Sequence, residues 1–151
     1  MSQTLTRNYI HLVFSTKGRA ETLPKSHLAE IYSYMAEVFK ACHCPAICIG
    51  GTSNHVHALF CLDKTKPLSE VVGTVKSSTT RWINKACGNT LTMFSWQDGY
   101  GAFSIGQRNV QATIDYINSQ NEHHHRCTFQ EEFRKICLLY DVGLDERYAW
   151  D

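Results

Sequence analysis

Apolar and polar residues alternate along the chain in two different periods, which divide it into predicted strands and helices. Short runs rich in β-branched and aromatic residues predict four strands, at 8–16, 45–51, 54–62 and 102–105. Apolar residues at three- and four-residue spacing predict four helices, at about 24–42, 69–88, 109–121 and 129–140. Pro24 suits the start of the first helix, and Ser69 can cap the second.

The predicted order of elements is β-α-β-β-α-β-α-α. Its first six elements match the split βαβ arrangement of ferredoxin-like and RNA-recognition-motif-like (RRM-like) domains. We therefore expect an α+β fold, with an antiparallel sheet, helices packed on it and extra C-terminal helices. The length of 151 residues suits a single domain over 1–151. Its core is expected at about 8–130, and its C-terminal helix and tail at 128–151.

The third predicted strand carries two histidines separated by one apolar residue, in the order His55, Val56, His57. Residues i and i+2 of a strand point to the same face, so the two imidazoles are expected side by side. Val56, Ala58 and Phe60 then point to the opposite face, towards the core. Two imidazoles on a rigid strand can supply two ligands to one divalent metal, although they could also be surface histidines.

The predicted helix at 109–121 has a buried apolar stripe and an adjoining polar stripe that contains Tyr116 and Gln120. These two residues are four apart, which brings their Cβ atoms to about 5–6 Å on one helix face. Each alone could be an ordinary surface residue of an amphipathic helix. Asp115 adjoins Tyr116 in the chain, but neighbours on a helix point about 100° apart, so it is given no role.

Several segments, taken in order, resemble the single-tyrosine HUH transposases of small bacterial insertion sequences, which include the REP-associated transposases. In the name HUH, H is histidine and U is a hydrophobic residue, and His55-Val56-His57 has this pattern. The resemblance covers about 8–130 and is carried by YIHLVFSTKGR, GGTSNHVHALF, WQDGYGAFS and the run from Tyr116 to Gln120. The HUH motif alone is short, but the combination in this order is specific.

The resemblance implies a site and an activity. His55, His57 and Gln120 would bind Mg²⁺ or Mn²⁺, and Tyr116 would attack single-stranded DNA to form a 5′-phosphotyrosine link and a free 3′-hydroxyl. A 3′-hydroxyl would later reseal the strand. The expected partners are DNA hairpins at the ends of the element and a second copy of the chain in a homodimer. Assembly of the site within one chain or between two chains stays open.

The residue types suit this chemistry. Free tyrosine has a pKa of about 10, so roughly one phenol in a thousand is ionised at neutral pH, and a nearby cation favours ionisation. Histidines must be neutral to bind a metal, and imidazole ligands favour Mn²⁺ over Mg²⁺. We therefore expect cleavage to fade below about pH 6.

Composition limits the possible partners. The net charge is only +1, so nucleic-acid contacts must come from local basic groups rather than from a strongly basic domain. The candidates are Lys17 with Arg19, Lys64 with Lys66, and Lys76 with Arg81 and Lys85, although the last three could be a solvated helix face. No apolar run approaches the roughly 20 residues of a membrane span, and a cytoplasmic protein is expected.

Other residues have weaker signals. The seven cysteines are odd in number and mostly lie within apolar patterns, so reduced, buried thiols are expected. Cys42-His43-Cys44 could be half of a zinc site, but the sequence has no paired CxxC to support it. His11 is expected in the core. Trp96 and Tyr100 could stack on bases or cover the sheet. The three histidines at 123–125 could bind a metal or a phosphate, or they could form a helix end exposed to solvent.

Two other functions fit the same sequence. One is a domesticated, non-catalytic relative that binds DNA or RNA hairpins without cutting them. The other is a metal-dependent phosphoesterase that uses water, with Tyr116 merely structural. The second would release its products without any covalent adduct, which separates it from the transesterase.

Overall fold

Four strands and five helices form the protein, as seen in a computed structural model that describes residues 2–87 and 93–151, with residues 123–125 described by their backbone alone. The strands are β1 (Tyr9–Ser15), β2 (Ala46–Gly51), β3 (His55–Cys61) and β4 (Gly101–Ile105). The helices are α1 (Leu28–Ala41), α2 (Leu68–Ala86), α3 (Val110–Asn118), α4 (Gln120–Arg126) and α5 (Phe129–Leu139). The predicted α+β fold class is confirmed.

The strands form one antiparallel sheet in the order β2-β3-β1-β4. β1 and β3 are its central pair, with Val13 opposite His57 and Ser15 opposite His55. This arrangement places both histidines in the middle of the sheet, where neighbouring strands on each side fix the backbone of β3. The histidine pair therefore has a rigid support.

The two faces of the sheet differ in character. One face packs against α1 and α2 and forms the main apolar core, to which the sheet contributes Leu12, Phe14, Val56, Ala58 and Phe60. The other face carries His11, Val13, His55, His57 and Leu59, and is covered by α3 and α5. The predicted alternation along β3 is confirmed, because its apolar set enters the core while its histidines face the second helix layer.

The predicted helix at 109–121 is wrong as a continuous element. α3 ends at Asn118, and the next residue, Ser119, has φ −99° and ψ 17°, outside the helical range. The Ser119 hydroxyl donates to the Tyr116 carbonyl at 3.0 Å, a local bond of the kind that competes with helical hydrogen bonding. Gln120 therefore begins a separate helix, α4.

The start of α2 also differs from the prediction. Pro67 occupies the N-cap position with φ −66° and gives no side-chain cap, and Leu68 is the first helical residue. Ser69 thus lies inside the first turn and is not the cap. The predicted end of this helix near residue 88 lies outside the described residues.

Membrane insertion by a helix has no support in the described part of the chain. None of the helices there is both long enough and apolar enough to cross a bilayer.

Candidate active site

The two histidines of β3 are completely buried, each with 0% exposure, on the sheet face beneath α3 and α5. His55 Nδ1 lies 2.7 Å from Asn54 Oδ1 and 3.0 Å from Thr52 Oγ1. An amide oxygen can only accept, so the bond with Asn54 places the ring proton on Nδ1. In its neutral form His55 then presents the lone pair of Nε2 to the space between the sheet and the helices.

His57 has a comparable support from β1. Its Nδ1 lies 2.8 Å from Nε2 of His11. Burial, with a smaller contribution from the charge of His57, lowers the pKa of His11 to about 3, so that His11 is neutral and can accept a hydrogen bond. With His11 as acceptor, the lone pair of His57 Nε2 faces the same space as that of His55. The prediction of a buried His11 is confirmed, and its partner is a site residue.

Gln120 closes one side of this space. Its side chain is buried, and its Nε2 donates to Glu132 Oε1 at 3.1 Å. That bond leaves the amide oxygen facing His55, and Gln120 Oε1 lies 2.8 Å from His55 Nε2. When His55 is neutral, the lone pair of its Nε2 faces a lone pair of Gln120 Oε1 in a buried space, an arrangement that suits a shared cation or an added proton. Although Gln120 is not in the same helix as Tyr116, its side chain lies beside His55, and its Nε2 is 3.5 Å from the Tyr116 carbonyl oxygen.

The Tyr116 ring lies close to the rings of His57 and His11. Its ring is 5.6 Å from that of His57 and 6.1 Å from that of His11, both in edge-on orientation. The Tyr116 hydroxyl donates a hydrogen bond to Glu132 Oε1. Burial and this bond to a carboxylate raise the pKa of Tyr116. The phenol is therefore held in its neutral form when no cation is bound.

Glu132 is the site residue that the sequence interpretation missed. α5 begins with a capping box between Thr128 and Glu131, which fixes the orientation of its first turn. The carboxylate is 4% exposed, with Oε1 3.1 Å from His57 Nε2 and Oε2 3.5 Å from His55 Nε2. Burial alone would oppose its ionisation, but contacts with His57 and Tyr116 and the charge of His55 hold the pKa of Glu132 at about 2.

A signal for Glu132 was present in the sequence. The buried side of α5 carries Phe129, Glu132, Phe133 and Ile136, a helical stripe in which the second position is a carboxylate. A charged residue at a core position of an amphipathic helix usually has a partner. At the end of the predicted helix at 129–140, Leu139 is 78% exposed and Tyr140 is half-buried. Leu139 is not part of the buried face.

Residues His55, His57 and Glu132 form a group that could hold a metal ion, with one candidate ligand atom from each within 4.8 Å of the others. No second group of this kind occurs among the residues that the structure describes. Cys42 and Cys44 are accordingly free thiols, as are the other five cysteines.

A cleft of about 560 Å³ lies beside the buried cluster. Its lining includes the buried His11 and Glu132, the half-buried Tyr116 and the exposed Asn109 and Lys135. Neither histidine of β3 is among its described lining residues, and both are completely buried. A ligand in this cleft would therefore contact Tyr116 and Glu132 but neither histidine of β3.

Trp96 and Lys76 both have structural roles. Trp96 is buried and packs edge-on against Phe14 and Phe94, so it covers the sheet. Lys76 is not on a solvated face, because its Nζ donates to the carbonyls of residues 97, 98 and 99 at 2.7, 3.2 and 2.9 Å. Burial lowers the pKa of Lys76 to about 8. The side chains at 123–125 lie outside the described residues.

Fold and site together define a class of protein in which one tyrosine is brought to a buried pair of strand histidines. A family model described as "Transposase IS200 like" matches residues 4–120, and the chain belongs to this family. The resemblance found in the sequence is thereby confirmed. Glu132 lies beyond the matched residues.

Solved structures show the same fold at low sequence identity. A candidate transposase from Deinococcus radiodurans R1 has a TM-score of 0.65 at 14% identity, covering 80% of this chain and 95% of that one. A REP-associated tyrosine transposase bound to a REP hairpin has a TM-score of 0.59 at 15% identity, covering 82% and 74%. A comparison with curated proteins finds no significant match.

Proposed function

We propose that the protein is a metal-dependent transposase that cleaves and rejoins single-stranded DNA through Tyr116. One observation carries the proposal: the Tyr116 hydroxyl bonds to a carboxylate that also contacts both buried histidines. A nucleophile and a cluster of metal-binding atoms therefore share one small volume. Because His55 and His57 are far from Tyr116 and Glu132 in the chain, only the tertiary fold brings these residues together.

The cluster suits a divalent cation. His55 Nε2, His57 Nε2 and Gln120 Oε1 face one small buried volume. Without a cation or a proton there, the lone pair of His55 Nε2 would face that of Gln120 Oε1. Imidazole and amide ligands suit Mg²⁺ or Mn²⁺, with a preference for Mn²⁺. A cation bound here would supply Lewis-acid polarisation of the scissile phosphate.

The tyrosine supplies the covalent step. Tyr116 Oη forms a bond to phosphorus as the bond from phosphorus to the 3′-oxygen breaks, and the proton lost by the phenol is balanced by the one gained by the 3′-hydroxyl. The products are a 5′-phosphotyrosine link and a free 3′ end. Because one ester replaces another, the reverse reaction can reseal DNA without an external energy source.

The proposed substrate is a DNA hairpin with an adjoining single strand. The REP-associated relative of the same fold is bound to a REP hairpin. In this chain, the cleft beside Tyr116 can accept a nucleotide, and Lys135, an exposed residue of its lining, can pair with a phosphate. Arg81 and Lys85 are exposed on α2 and can add backbone contacts.

A homodimer acting in the cytoplasm is the proposed form. Each chain brings one tyrosine to its histidine pair, so cutting two ends of a mobile element calls for two chains. The seven free thiols agree with a reducing compartment.

A covalent-trapping gel tests the proposal. The full chain is incubated with Mn²⁺ and hairpins from the DNA that flanks its gene, and Tyr148→Phe, an exposed position, is the matched control for Tyr116→Phe. We expect a denaturation-resistant protein–DNA band that is lost with Tyr116→Phe or EDTA and kept with Tyr148→Phe. Complexes on a native gel without that band would favour a hairpin-binding protein, and cut DNA without it would favour hydrolysis.

A further inference from the structure

The carboxylate of Glu132 occupies a position that a metal ligand would take. Its two oxygens lie 3.1 Å from His57 Nε2 and 3.5 Å from His55 Nε2. Adjacent ligands of an octahedral cation with bonds of about 2.1 Å lie about 3 Å apart, and opposite ligands about 4.2 Å apart. The separations of 3.1 and 3.5 Å fall between these two values, and one candidate ligand atom from each of His55, His57 and Glu132 lies within 4.8 Å of the others.

The hydrogen bonds of Glu132 are divided unequally between its two oxygens. Oε1 accepts from the Tyr116 hydroxyl and from Gln120 Nε2. Oε2 is buried and has no hydrogen-bond partner among the described residues, and neither has His57 Nε2. A buried carboxylate oxygen without a hydrogen bond is destabilising, and Oε2 lies 3.5 Å from its charged neighbour, His55 Nε2, so among the described residues this atom is available to bind a ligand.

We propose that Glu132 binds the divalent cation through Oε2 while Oε1 holds the hydroxyl of Tyr116 beside it. This inference rests on the metal site of the proposed function and adds to it a fourth ligand, which comes from α5. A carboxylate also changes the charge of the protein ligands from zero to −1, which strengthens cation binding. Glu132 would thereby couple metal binding to the position of the nucleophile.

The opposite role for Glu132 makes a different prediction. If the carboxylate only pairs with protonated histidine, it competes with the cation, and removing it would leave Mn²⁺ binding unchanged or tighter. Metal affinity measured without DNA therefore separates the two roles without any use of activity.

Calorimetric titration of the full chain with Mn²⁺ provides this test. Glu132→Gln removes the charge at nearly constant shape, and Glu37→Gln, which is exposed on α1, is the control for net charge. We expect the Kd to rise by about tenfold or more in Glu132→Gln and to stay unchanged in Glu37→Gln. An unchanged or lower Kd in Glu132→Gln would overturn the inference.

His57→Ala separates this inference from the metal site itself. If His57→Ala abolishes Mn²⁺ binding and Glu132→Gln does not weaken it, the inference fails and the metal site stands. If His57→Ala binds Mn²⁺ like the wild type, the metal site of the proposed function fails.

A second measurement on the wild-type chain covers the case in which Glu132→Gln does not fold. Infrared difference spectra taken before and after addition of Mn²⁺ report on carboxylate stretching. We expect a shifted carboxylate band at one equivalent of Mn²⁺, and a spectrum without carboxylate changes would contradict ligation by Glu132.

Coupling to the nucleophile is tested at saturating Mn²⁺. Even when its metal site is full, Glu132→Gln should form the covalent adduct more slowly than the wild type, because the Tyr116 hydroxyl has lost its charged hydrogen-bond acceptor. A wild-type rate under these conditions would leave Glu132 as a ligand and remove its positioning role.

Discussion

Gly50 of β2 lies directly under Ile117 of α3, so closely that a Cβ at residue 50 would come within 2.9 Å of both the Ile117 carbonyl oxygen and its Cγ2. The neighbouring residue on α3 is Tyr116. The absence of a side chain at Gly50 thus allows α3 to lie against the sheet at the height that brings the phenol to the histidines.

Gly50→Ala should displace α3 and slow cleavage. The carbonyl is backbone and cannot rotate away, so the helix must shift by a few tenths of an ångström or more. Since small misplacements of a nucleophile are costly, we expect the rate of adduct formation to fall by about tenfold to a hundredfold. Mn²⁺ affinity should change less, because the histidines belong to β3.

The matched control for this substitution is Gly73→Ala. Residue 73 lies in α2, and no atom lies within 4 Å of the place that a Cβ would take there. Alanine is therefore expected to stabilise the helix by about 1 kcal/mol and to leave the rate unchanged. Equal rates in Gly50→Ala and Gly73→Ala would refute the proposed role of the close contact.

Asn54 should influence metal affinity without touching the metal. Its Oδ1 fixes the proton of His55 on Nδ1 and so directs the lone pair of Nε2 towards the site. In Asn54→Ala we expect Mn²⁺ binding to weaken by about tenfold in calorimetric titration. Asn121→Ala, at an exposed position of α4, is the control, and a wild-type Kd in Asn54→Ala would exclude this support.

Cleavage should decline as the pH falls through about 6. Only the neutral form of histidine binds a metal, so protons compete with the cation for His55 and His57 as the pH falls. Rates measured from pH 8 to pH 5 at a fixed, subsaturating Mn²⁺ concentration should fall, and additional Mn²⁺ should restore part of the loss. A flat profile down to pH 5 would contradict histidine ligation.

The stability of the metal-free protein should depend on Glu132 in a different pH range. Its pKa is lowered from the ordinary 4.5 to about 2, so its ionised form stabilises the fold above pH 4.5, and that contribution is lost as the pH falls towards 2. With EDTA present, Glu132→Gln should be less stable than the wild type at pH 6, on the order of 2 kcal/mol.

Urea unfolding at pH 6 and near pH 3 measures this difference. The deficit of Glu132→Gln should be smaller at the lower pH, where the wild-type carboxylate has begun to take up a proton. A deficit that stays constant or grows between pH 6 and pH 3 would show that ionised Glu132 does not stabilise the fold.

Local sequence patterns were enough to predict the strand histidines and the pairing of Tyr116 with Gln120. The period of two in β3 places His55 and His57 on one face whatever surrounds them. Gln120 stays near Tyr116 even though the helix breaks at Ser119, since its Nε2 lies 3.5 Å from the Tyr116 carbonyl oxygen.

Long-range packing explains what the sequence did not reveal. His11 meets His57 only because β1 and β3 pair in one particular register, with Val13 opposite His57. Glu132 enters the site because α5 packs across the same face of the sheet, a contact between segments about 75 residues apart, and Lys76 is buried by the loop at 97–99. Neither the register of β1 and β3 nor the docking of α5 can be predicted from the local periodicity of the sequence.

The most direct test of the central claim is to locate the covalent bond. Trypsin is expected to release residues 109–126 as one peptide, in which Tyr116 is the only tyrosine. After reaction with a cleavable hairpin, digestion with nuclease and trypsin and mass spectrometry, this peptide should carry a nucleotide 5′-phosphate on Tyr116. A nucleotide on another peptide, or cleaved DNA with an unmodified 109–126 peptide, would contradict the account.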